Sequence, residues 1–172
     1  MVGDLTEKVQ ASQNAFERLT SRIPGYGGYK RKEQRRDADK LLRLHVARQY
    51  EEQLKRLNEV QYTVTSTGGL ALIVPLERGS MRLQLLIDRI KTASYGYAGL
   101  FDATKVGEEE LDGLYAFDES MLDGVQSLST ILDNLTEAAD SSSLTKAHAT
   151  ELLRAVDALN ETFSRRQDVI LE

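Results

Sequence analysis

The sequence predicts an all-α protein, an antiparallel bundle of about five helices forming a single domain over residues 1–172. Three observations predict it. Only two prolines interrupt 172 residues. β-branched residues are sparse, and no stretch alternates apolar and polar residues as a half-buried strand must. Apolar residues instead recur every three or four positions, the period of a helix. Hydrophobic residues make up 41% and charged residues 28% of the chain, ordinary values for a globular domain. At this length one domain buries a core without covalent staples.

The first predicted helix covers about 4–22. Asp4 is a fitting N-cap, and Glu7 three residues on completes a capping-box pattern. Its apolar stripe is thin, namely Leu5, Val9, Phe16, Leu19 and Ile23. A loosely docked amphipathic helix has two uses, packing on the bundle or lying on an anionic membrane surface. The mixed polar face of Glu7, Lys8, Glu17 and Arg18 favours docking, because interfacial helices are rich in basic residues. Pro24, Gly25, Gly27 and Gly28 then stop the helix.

The second helix, about 30–66, carries Ala38, Leu42, Val46, Tyr50, Leu54, Leu57, Val60 and Val64 on one stripe. Gly68 and Gly69 supply its turn. The third, about 72–95, starts between Leu70 and Pro75 because proline is comfortable in a first turn. Leu76, Leu83, Leu86, Ile87, Ile90 and Ala93 are its inward residues. The segment from Tyr95 to Gly107 reads as an irregular connection. The fourth helix, about 108–139, has the most regular pattern. Leu111, Val125, Leu132 and Ala139 share one heptad position, and Leu114, Met121, Leu128 and Leu135 share its partner. Such a seam suits an intramolecular neighbour or a second copy equally. Glu108, Glu109, Glu110 and Asp112 fall in the first turn, where the helix dipole favours anions. Asp140-Ser141-Ser142-Ser143 ends this helix and caps the fifth, about 142–171, with Leu144, Leu152, Ala155, Leu159, Phe163 and Ile170 inward.

Charge is segregated along the chain. Residues 30–59 hold ten Lys/Arg against six Asp/Glu, whereas residues 108–140 hold ten Asp/Glu and no Lys or Arg. The two segments attract one another if they are neighbours. A net charge of -5 counts against a nucleic-acid binder. With no cysteine there is neither a disulfide framework nor a thiolate ligand. Met1–Gln10 carries Asp4, Glu7 and Lys8 rather than a signal-peptide core, so the expectation is a cytoplasmic protein.

Short turns between long helices gather the Gly/Tyr-rich segments at one end, where the expected interaction surface lies: Tyr26, Tyr29, Arg31, Arg35, Arg36, Tyr95 and Tyr97. Cations at a helix start oppose the dipole and need compensation. Arg35 and Arg36 find it in Glu108–Asp112 or in an anionic partner. The tyrosines either pin an irregular corner or anchor a protein interface. Asp118 occupies a core heptad position between Leu111 and Val125, so it needs a partner. Register fixing is the plain reading, and a polar site in a small-ligand-binding or enzymatic bundle is the sharper one. His45 and His148 read as packed neutral imidazoles. Leu42 and Thr145 stand three residues before them, where a di-metal bundle places glutamates. No phosphate-binding glycine motif or catalytic set is present, so no catalytic residue, cofactor or metal is expected. The chain reads as a non-enzymatic interaction or scaffold protein that presents the Tyr/Arg end to a protein partner or to itself. The alternative is a peripheral membrane adaptor using the first helix and the basic start of the second.

The run Ile23-Pro24-Gly25-Tyr26-Gly27-Gly28-Tyr29-Lys30, with Arg35-Arg36, Ala38-Asp39 and Leu41-Leu42 behind it, resembles a pattern in uncharacterised bacterial helical proteins. Ser94-Tyr95-Gly96-Tyr97-Ala98-Gly99-Leu100-Phe101-Asp102 is similar to a second part of that pattern. The resemblance covers most of the chain. It implies a helical fold and a bacterial origin, with no activity or site residue attached.

Overall fold

The computed structural model describes residues 32–93 and 108–165, with side chains described over 40–93 and 116–165. These residues form four helices, α1 (Lys32–Ser66), α2 (Leu70–Thr92), α3 (Glu108–Asp140) and α4 (Lys146–Ser164). They correspond to the second to fifth predicted helices. The predicted helix over 4–22 and the Gly/Tyr connections lie outside the described residues.

α1 and α2 form an antiparallel hairpin. Gln61 Nε2 donates to Ser80 Oγ at 2.8 Å near the turn, and Lys91 pairs with Glu51 far from it. α3 and α4 form a second hairpin. The two hairpins lie side by side and point the same way. Along α1 and α3, Tyr50 meets Met121 while Arg56 meets Ser129 and Asp133. Along α2 and α4, Arg82 pairs with Asp157 while Arg89 reaches Asn160 and Ser164. Consecutive helices are therefore antiparallel, as short turns require, yet the hairpins join through parallel contacts. α1 packs on α2 and α3, and α4 on α2 and α3.

Each hairpin turn satisfies the orphan carbonyls of its first helix with the same pair of bonds. In the first turn Gly69 N–H donates to Val64 O (2.9 Å) and Gly68 N–H to Thr65 O (3.3 Å), with Gly68 at φ 81°. In the second, Ser143 N–H donates to Ala138 O (2.8 Å) and Ser142 N–H to Ala139 O (3.1 Å), with Ser142 at φ 55°. Ser142 thus holds a left-handed conformation that costs an L-residue roughly 1–2 kcal/mol and glycine almost nothing.

α2 begins at Leu70, the earliest position of the expected range, so Pro75 sits inside the helix rather than in its first turn. The missing Pro75 N–H leaves the carbonyl of Ala71, an exposed residue, without its helical donor. α4 begins at Lys146, four residues after the expected start, and its N-cap is Thr145 rather than the serine run.

The core is a continuous cluster running through all four helices. Leu42, Val46, Tyr50, Leu57, Val60 and Val64 come from α1, and Leu76, Leu83, Leu86, Ile87 and Ile90 from α2. The described heptad residues of α3, Met121, Val125, Leu128, Leu132, Leu135 and Ala139, are all buried in it. From Met121 to Ala139 that seam is buried within the chain, while Leu111 and Leu114 lie outside the residues whose side chains are described. On α4, Leu152, Val156 and Phe163 are buried, and the expected Ala155 is only half-buried beside Val156.

Close approach of the helices depends on Gly124 and Gly79. A Cβ on Gly124 would stand 2.5 Å from Leu159 Cδ2 and 2.7 Å from Tyr50 Oη. One on Gly79 would stand 2.8 Å from Leu152 Cδ2. The Tyr50 hydroxyl donates to the backbone carbonyl of Met121 at 2.7 Å across the α1–α3 seam. Burial pushes the Tyr50 phenol pKa up, so it stays a protonated donor.

Candidate functional site

Most of the surface expected from sequence falls on residues the structure does not describe. Tyr26, Tyr29, Arg31, Tyr95 and Tyr97 lie outside them. Arg35 and Arg36 lie in the first turns of α1, though their side chains are not described. The helix starts of α1 and α3 do share an end, because the two helices run parallel. The basic and acidic segments are thus neighbours, and Arg56 with Asp133 is one ion pair that joins them.

Toward that end the described residues include two buried charged side chains, Arg43 on α1 and Asp118 on α3. Asp118 follows Phe117 in the chain; the Phe117 and Phe163 rings pack at 6.3 Å with a 57° tilt, and the Arg89 guanidinium sits 5.2 Å over the Phe163 ring. Such a cation over an aromatic face is held by the ring quadrupole. Among the described residues no group of three or more His, Asp or Glu side chains could hold a metal.

The histidines take different roles. His148 is a capping residue rather than a packed core imidazole, because its Nδ1 accepts the Thr145 backbone N–H at 3.1 Å. It stands where a capping box carries Glu or Gln, which satisfies the same orphan donor. His45 is half-buried on α1. Desolvation lowers its pKa, Arg48 adds to the effect, and Glu52 opposes it.

At the opposite end a groove of about 770 Å³ opens between α1 and α3. Glu59, Asp133, Glu137 and Asp140 border it around one guanidinium, that of Arg56. Arg56 is already engaged: it donates to Gln53 Oε1 (3.0 Å) and Ser129 Oγ (2.8 Å) and pairs with Asp133. The groove is therefore a polar seam whose one cation is already used by the protein.

The outer face of α2 is different in kind. Leu70 (70% exposed), Val74 (57%), Met81 (72%) and Leu85 (53%) all point to solvent there. At the helical repeat these four fall within a sector of about 60° opposite the core-facing residues. Tyr62 of α1, next to the Gln61 that holds Ser80, adds a ring that is 78% exposed. Scattered apolar residues on a surface are normal, but exposed apolar residues aligned on one helix face are a feature of interaction sites.

Sequence reasoning missed this row because α2 is apolar on two faces. Leu76, Leu83, Leu86, Ile87 and Ile90 complete a helical stripe, and the remaining apolar residues then look incidental. The available signal was the repeated four-residue step, Leu70 to Val74 and Met81 to Leu85. No helix of the described residues is long and apolar enough to cross a membrane, so the row is not part of a span. Among known proteins, no family model, no curated protein and no solved structure matches this chain.

Proposed function

We propose that this chain is a non-enzymatic interaction protein whose rigid bundle presents the outer face of α2 to another protein. One observation carries the reading: among the described residues four helices already share one buried core, yet four large apolar side chains remain in a row outside it. Leaving such a row in water is unfavourable by about 25 cal/mol per Å² of apolar surface. Covering it with a partner recovers that free energy, and the folded bundle has no further need of it. Exposed polar residues stand on the same side of α2, Glu77 and Arg78 between the two apolar pairs and Gln84 and Asp88 beside Leu85.

A photo-crosslinking amino acid at position 81, introduced in the cell of origin, tests this reading. The expected result is covalent protein adducts from position 81 and none from the same probe at Ala158 on the outer face of α4. Equal labelling at both positions, or adducts with lipid alone, would remove the proposal.

A further inference from the structure

We propose that the partner on this face is a second copy of the chain, docked antiparallel through α2 about a twofold axis between Glu77 and Arg78. The inference rests on the interaction reading above and names its partner. Three observations lead to it.

The first is the symmetry of the row. Leu70 and Leu85 lie equally far from the midpoint between Glu77 and Arg78, and so do Val74 and Met81. A twofold axis through that midpoint, perpendicular to α2, sets Leu70 level with the partner's Leu85 and Val74 level with the partner's Met81. All four apolar residues are then covered with no overhang. A twofold interface demands this reciprocity, in which residue i meets j and j meets i.

The second is charge. The same axis sets Glu77 level with the partner's Arg78 and Arg78 level with the partner's Glu77. The centre of the row, which lacks a large apolar residue, is then closed by two unlike pairs.

The third is that these charges are unspent. The other basic residues of α2 are engaged within the bundle: Arg82 with Asp157, Arg89 with Asn160 and Ser164, Lys91 with Glu51. Asp88 accepts from Gln84 Nε2 at 2.8 Å. Glu77 and Arg78 are exposed and make no ion pair or side-chain hydrogen bond among the described residues.

Sedimentation equilibrium on the full chain provides the first test. The expected result is a concentration-dependent dimer, and Met81→Glu shifts its midpoint to at least tenfold higher concentration while leaving the helical circular dichroism intact. Glu77→Arg alone weakens the dimer, and Glu77→Arg with Arg78→Glu restores it. Orientation is read with engineered thiols, which are unique because the chain has no cysteine. Val74→Cys mixed with Met81→Cys gives a mixed disulfide on mild oxidation, while Val74→Cys alone gives little. A monomer at every concentration up to about 100 μM, a range that detects a dimer with a Kd of about 100 μM or tighter, overturns the proposal. So does a dimer that Met81→Glu leaves unchanged, or one in which Val74→Cys crosslinks to itself preferentially. If the chain is monomeric but position 81 still labels a different protein in the cell, the second-copy assignment fails and the interaction reading stands. If neither occurs, both fail.

Discussion

α2 and α4 make an instructive pair. They run parallel, contact each other directly and share one core, yet their outer faces are opposites. The exposed positions of α4 are Lys146, Ala147, Thr150, Glu151, Arg154, Asp157, Ala158, Glu161 and Ser164, with no large apolar side chain among them. The exposed positions of α2 include Leu70, Val74, Met81 and Leu85. α4 follows the ordinary amphipathic rule, in which one stripe is buried and the rest is polar. α2 breaks that rule on one face only. Inward burial explains the first stripe of α2 and gives no reason for the second.

The largest effect that sharpens this contrast is in the core. Leu83→Ala, on the inner face of α2, is expected to cost roughly 2–5 kcal/mol in urea unfolding. Leu85→Ala, two residues on, is expected to stay within about 0.5 kcal/mol in the isolated subunit. Similar costs for the two would mean that the outer row is already covered. Next comes Gly124→Ala, whose Cβ would collide with both Leu159 and Tyr50. Overpacking of this kind is expected to cost about 1–3 kcal/mol, more than the helix gains from alanine. A stabilised variant would show that the α1–α3 and α3–α4 contacts are looser than described.

A smaller effect, of opposite sign, is expected at the second turn. Ser142→Gly relieves a left-handed serine and should stabilise the fold by about 1 kcal/mol, seen as a raised denaturant midpoint. His148→Ala removes the capping acceptor of α4 and should cost about 1 kcal/mol, with loss of amide protection confined to its first turn. The smallest effect is pH-dependent. His45 has a lowered pKa in the folded state, so the unfolded chain binds the proton more readily. Its contribution to stability is complete above the ordinary imidazole value of about 6.5 and declines as pH falls through the lowered folded value. His45→Gln should flatten that part of the stability profile relative to wild type, and an unchanged slope would assign it to other groups.

Much of the fold was legible in the sequence because the signals were local. Gly68-Gly69 marked a turn that needs a left-handed residue, and the heptad of Met121, Val125, Leu128, Leu132 and Leu135 marked a buried seam. What was not legible was relational. Periodicity says that a helix has a buried face without saying which helix covers it, so the parallel join of the two hairpins came only from Tyr50 with Met121 and Arg82 with Asp157. His148 escaped notice because an imidazole in a capping box imitates a glutamate that the pattern expects. The outer row of α2 escaped because two apolar stripes on one helix look like a single rich one. Of the expected interaction end, Asp118 is described and buried, whereas the tyrosines lie outside the described residues.

The parallel join has one more consequence. Both tight turns sit at the same end, and the only peptide link between the hairpins, residues 94–107, leaves α2 and enters α3 at the other. At the turn end, among the described residues, side chains join the hairpins: the buried Val60, Val64, Leu76, Leu132, Leu135 and Leu152, with Arg56 gripping Ser129 and Asp133 and the Leu152 methyl seated over Gly79.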